Sequence, residues 1–187
     1  KYLGGPAEDY WKVDTPVCQE IADTIKAMAE TDRMKVGVDG CGVPVFAVGM
    51  KNIAVSYKNL ACIDTIPDEA LQRAAADNTG RIMRHPEMMR GEGFLCTIMN
   101  KDPNIIAKGG ANGVYGFGLK KQRLGVAFKL IDGTEEAWSF VAKEVLRALG
   151  ALTPEHEKRL DSLHPTYFVN DNERVVGERR FEVNIAI

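Results

Sequence analysis

At 187 residues the chain is long enough for one domain with its own hydrophobic core and too short for two large ones. An apolar share of 45% and a charged share of 27% are ordinary for a soluble globular protein, and a net charge of −2 leaves no electrostatic footprint for nucleic acid or an anionic membrane. No apolar run reaches the roughly 20 residues of a membrane span. Four widely spaced cysteines, Cys18, Cys41, Cys62 and Cys96, form no CxxC, so reduced thiols in a cytoplasm are expected.

In chain order, residues 1–12 read as a packed entry loop with two aromatics. Asp14 or Thr15 caps a first helix with Pro16 at its start, and Val17, Ile21, Ile25 and Met28 share one face. "MKVGVDG" reads as a short strand ending in a turn, and "VGMKNIAVSYKNLAC" as a helix. Pro67 opens a longer helix that Pro86 ends, and "FLCTIMN" forms a short one.

The pattern changes after Pro103. "IIAKGGANGVYGFGL" and "LGVAFKLIDG" read as strands joined by the polar turn "KKQR". Gly113, Gly116, Gly118 and Gly125 thin them, so another backbone or a ligand is expected to approach closely there. "TEEAWSFVAKEVLRALG" is the best helix, capped by Asp132 or Thr134, with Ala137, Phe140, Val141, Val145 and Ala148 on one face and Gly150 at its end. A shorter helix starts at Pro154, with His156 on a polar face. "RVVGERRFEVNIAI" reads as a last strand set against the 113–131 hairpin. The whole is a single α+β domain over 1–187, an antiparallel sheet flanked by helices.

Among nucleophiles, Ser56, Ser139 and Ser162 are the only serines, and none lies in GxSxG or begins SxxK. His85, His156 and His164 lack an HxxxH or CxxC context, so each reads as structural, with His85 ahead of the loop "MMRGEG" the exception to watch. "KGGANGVYGFG" is no phosphate loop because it leads into a strand. Two readings of Lys108 stand there: a lysine facing a cleft, with glycines letting a ligand lie on the backbone, or a solvated lysine in a tight loop. Cys41 lies between two glycines, two residues after Asp39. A thiolate at such a turn suits zinc or a redox role, but a zinc site needs about three or four ligands, and no others are near in sequence.

"DGCGVPVFAVGMKNIAVSYKNLA", "MRHPEMMRGEG", "AKGGANGVYGFGL" and "LGVAFKLIDG", in this order, resemble the rhizobial-type L-asparaginases from about Tyr10 to Gly150. The resemblance implies a serine-β-lactamase-like (penicillin-binding-protein-like) fold, usually dimeric, that hydrolyses asparagine to aspartate and ammonia. In that family a Ser-xx-Lys pair supplies nucleophile and base. A Cys-Ser-Gly-Lys-His motif binds zinc together with the cysteine of an Asp-Gly-Cys motif, which falls on Asp39, Gly40 and Cys41. Cys41 is thus the implied zinc ligand, with Asp39 beside it, and the family's cleft lysine falls on Lys108.

Both N-terminal motifs are absent from this sequence, which looks like the C-terminal half of the family's protein. It would form one wall of the active site, inactive in isolation, and its uncovered sheet would need the missing half, a second copy, or both. The competing expectations are a non-catalytic binding or interaction remnant of the fold, and another β-lactamase-like serine amidase.

Overall fold

The computed structural model describes Leu3 and residues 7–180. It is α+β, with three small antiparallel sheets and six α-helices among the described residues. Helix α1 (Pro16–Ala29) starts as expected, with the Thr15 hydroxyl accepting from the Cys18 N–H. Its buried face differs from the expected one. Cys18, Ala22, Met28 and Ala29 are buried while Ile21 is exposed, because small side chains let α1 approach α2 (Met50–Ala61), where the Asn52 amide donates to the Ala29 carbonyl at 2.9 Å.

"MKVGVDG" is one strand of a hairpin that the sequence reading missed. β1 (Lys35–Val38) pairs with β2 (Pro44–Ala47) across the 39–43 turn. All four β1 residues are exposed, so no apolar alternation announces the pair. Tyr10 and Trp11 are likewise exposed, so residues 8–12 are not a packed loop, and residues 1–2 and 4–6 of the expected entry loop lie outside the described residues. Helix α3 (Glu69–Arg84) begins two residues after Pro67, capped by Asp68, and α4 (Leu95–Asn100) follows the "MMRGEG" loop.

The central sheet has the order β3 (Ile105–Gly109), β4 (Val114–Leu119), β5 (Leu124–Lys129). The glycine-rich stretch expected as one strand is therefore two, folded at Asn112 and Gly113, both of positive φ. β4 alternates strictly. Tyr115, Phe117 and Leu119 enter the main core with Leu95, Met99 and Ile105, under α5 (Trp138–Ala148) and α6 (Pro154–Asp161). Gly116 and Gly118 face the other way, with Gly125 of β5, and a Cβ on any of the three would overlap Tyr57, Ala61 or Ala54 of α2. The close approach expected at these glycines is thus a helix backbone.

Helix α5 begins later than expected. Asp132 accepts from the Thr134 N–H and Thr134 from the Glu136 N–H, so they cap the turn before it, and Ala137 caps the helix without a side-chain bond. Its buried face is Trp138, Ser139, Ala142 and Leu146 rather than the Phe140–Val145 row. The last strand also differs. β7 (Val175–Glu178) pairs with β6 (Tyr167–Val169) in a separate ribbon instead of joining the central sheet. Residues 181–187 of the expected strand lie outside the described residues.

His156 is buried rather than on a polar face. Its Nδ1–H donates to Asp102 Oδ2 at 3.1 Å, tying α6 to the turn before β3, and its Nε2 is buried without a partner. Helix α4 is clipped to β3 by Asn100, whose amide donates to the Ala107 carbonyl at 2.7 Å and accepts from the Ala107 N–H at 2.9 Å.

Two outcomes follow from this packing. Gly125→Ala must push α2 off the sheet and should cost at least about 1–3 kcal/mol in urea unfolding. The His156 hydrogen bond holds the Asp102 carboxyl below its ordinary value of 3.8. A depressed native value gives stability that is full above about pH 4 and is lost as pH falls through that value. Asp102→Asn should therefore be less stable at pH 7 and lose less on acidification, measured by thermal melts from pH 7 to pH 3.

Candidate active-site face

The hairpin turn presents Cys41. Gly42 takes φ +80°, and the Asp39 carboxylate accepts from the Cys41 N–H at 2.9 Å, closing the turn on itself. Hydrogen bonding from Cys41, through its thiol and its backbone N–H, holds the Asp39 carboxyl below its ordinary range. Cys18, Cys62 and Cys96 are buried, and Cys41 alone of the four is exposed. It opens on a groove of about 350 Å³ edged by Tyr10, Trp11 and Val38. The two aromatics were visible in the sequence, but nothing local linked them to a turn some thirty residues on.

Lys108 is the one exposed residue of an otherwise buried strand. It pairs with Gly116, and its carbonyl accepts from the Tyr57 hydroxyl at 3.0 Å. Burial raises the Tyr57 pKa, so this hydroxyl stays a neutral donor. Among the described residues the Lys108 ammonium reaches only the neighbouring Gly109 carbonyl, at 2.5 Å. The structure thus sets Lys108 at an open position and anchors its backbone through α2. That helix leaves directly from the Cys41 hairpin. Asp39 and Cys41 lie together in one turn, Lys108 lies on β3, and no hydrogen bond or ion pair among the described residues joins the two places.

His85 is exposed at the end of α3, 3.4 Å from Glu87. From the same motif it is Arg90 that enters a cleft, through an ion pair with Glu135 at 2.6 Å. No three His, Cys, Asp or Glu side chains cluster to hold a metal among the described residues. This chain's donor set therefore does not by itself fit a zinc ion. Cys41 offers one thiolate and no more.

A family model described as L-asparaginase II matches residues 1–181. The chain belongs to the L-asparaginase II family. No curated protein matches it significantly. Membership of the L-asparaginase II family gives the chain an L-asparaginase-like function, with asparagine as the substrate the family implies. Among the described residues no helix is long and apolar enough to cross a membrane.

Accessibility of the thiols is directly measurable. The native chain should react with one equivalent of a thiol reagent, and with four once unfolded. Cys41→Ser should abolish the native equivalent. Fast reaction of a second thiol in the folded chain would contradict the burial of the other three.

Proposed function

We propose that this chain forms one wall of a cytoplasmic, serine-lysine, zinc-associated L-asparaginase of the rhizobial type, on a serine-β-lactamase-like fold. The observation that carries the reading is Lys108, an exposed cation in a buried strand of an L-asparaginase II family member, held by its backbone and bound to no carboxylate among the described residues. A cation so placed holds the substrate carboxylate or the oxyanion formed when the side-chain amide is attacked. A pre-positioned charge of this kind stabilises the transition state without reorganising at the moment of reaction.

The nucleophile and its base are assigned to residues outside these 187, since none of the three serines begins SxxK. Attack on the amide carbon expels ammonia, and water then releases aspartate from the acyl-enzyme. Cys41 is the one zinc ligand assigned to this chain, with Asp39 accepting beside it. The remaining ligands come from elsewhere, and no catalytic step is assigned to the metal. Exposed Val36, Val38 and Val45 on the hairpin favour a covered surface in the working protein, through a second copy, the segment that carries the nucleophile, or both.

Chain 1–187 alone should release no ammonia from asparagine above background, and in equilibrium dialysis it should bind zinc weakly and without fixed stoichiometry. In a protein that also carries SxxK, Lys108→Ala should lower kcat/KM by about 100-fold or more, with partial recovery in Lys108→Arg. Turnover by the homogeneous isolated chain, or tight one-to-one zinc, would overturn the single-wall reading.

A further inference from the structure

The "MMRGEG" loop is not used by the reaction proposed above. Its backbone is firmly held. Gly91 and Gly93 take positive φ, the Gly91 N–H donates to the Glu87 carbonyl at 2.7 Å, and the buried Thr97 hydroxyl donates to the Gly91 carbonyl at 2.5 Å. The loop thereby presents Arg90 across the rings of Phe94 and Trp138, with the guanidinium carbon 5.1 and 5.9 Å from their centroids. Glu135 closes on Arg90 from the start of α5, and the pair is only partly exposed, at 34% and 42%. Around them is a cleft of about 190 Å³, also lined by Ser139 and His164. Ser139 is 4% exposed.

This cleft is on the opposite side of the sheet from Lys108. Gly109 follows Lys108 on β3, and neighbouring strand residues face opposite ways. A Cβ on Gly109 would lie 2.7 Å from the Trp138 ring, so the Gly109 face is the Trp138 face.

We infer that this cleft is a second binding site, for a free α-amino acid in its zwitterionic form. The size and the charge pattern both select that class. The volume is below the roughly 300–1,000 Å³ of pockets for drug-sized ligands. Its floor is aromatic, and its polar edge carries the Arg90–Glu135 ion pair, with Glu136 and His164 beside it. A ligand with a single charge takes one member of the Arg90–Glu135 pair and strands the other in a partly desolvated place. A zwitterion replaces both partners at once. Its carboxylate meets the planar guanidinium fork and its ammonium meets Glu135, while its carbon skeleton lies on Phe94 and Trp138. Ser139 adds a small polar side chain to the lining. The inference does not depend on the reaction proposed above.

Trp138 reports on the cleft directly. It is one of two tryptophans, and Trp11→Phe leaves it as the sole indole emitter. In that background, L-asparagine and glycine should each change Trp138 fluorescence saturably, while acetate and methylamine at the same concentrations should not. Arg90→Gln and Glu135→Gln should each weaken the response at least about tenfold, with far-UV circular dichroism unchanged. Glu135→Gln is a surface isostere and decides the matter if Arg90→Gln disturbs the loop. The proposal falls if acetate or methylamine acts as well as the amino acids, if no amino acid gives a saturable change, or if the response survives both substitutions. Loss of the response in Lys108→Ala would also overturn it, by moving the ligand to the other face and leaving the proposed reaction intact.

Discussion

The structure depends on how closely α2 lies against the central sheet. Gly118 and Gly125 let the backbone at Tyr57 and Ala54 rest on the strands, and Gly116 makes room for the Tyr57 ring. A conventional helix–sheet contact keeps a layer of side chains in between. Here that layer is thinned at the strand glycines, and the helix locks to the strands through shape. Strand β4 makes this possible by carrying its bulk on one face only, with Tyr115 and Phe117 turned toward α5 and glycine turned toward α2. The same contact brings Tyr57 to the Lys108 carbonyl. The group proposed to meet substrate is therefore located by a helix whose other end joins the hairpin that carries Cys41.

Away from this contact, cohesion comes from buried polar clips. Asn59 donates to the Met28 carbonyl at 2.9 Å and accepts from the Thr65 hydroxyl at 2.7 Å, joining the end of α1 to α2. Asn100 holds α4 to β3, and His156 holds α6 to the turn before it. Each sits where an unmade hydrogen bond would be costly, so each specifies one arrangement of its elements. His156 Nε2, Tyr115 Oη and Trp138 Nε1 are the buried side-chain polar atoms left without a partner among the described residues.

Much of this was legible in the residues. Thr15 with Pro16, and Thr153 with Pro154, mark helix starts through chemistry that acts within one turn, and the structure has both caps. The strand glycines foretold a close approach because a missing side chain in a strand interior has few other uses. The family was legible from several motifs in order, and the match bears it out at the level of the L-asparaginase II family. Other features depended on long-range pairing. β1 and β2 are short and mostly exposed, so their period carries no burial signal. β7 found its partner just upstream, in β6, rather than in the central sheet. His156 reads as polar because its neighbours are charged, while the carboxylate that buries it is 54 residues away. Arg90 rather than His85 reaches a cleft because the helical turn Pro86–Met89 carries the chain on from the end of α3 before Arg90 pairs with Glu135.

The β1–β2 hairpin is a two-stranded ribbon outside the main core, and such ribbons are marginal on their own in water. Lys108 belongs instead to a strand buried on both sides of it. The two places proposed for substrate and metal therefore belong to different tiers of local stability. Amide hydrogens around Cys41 exchange through openings that leave the Lys108 strand closed. A ligand captured at Cys41 also closes the ribbon, so its local signature is slowed exchange over residues 35–47, beyond the general stabilisation that any native-state ligand gives.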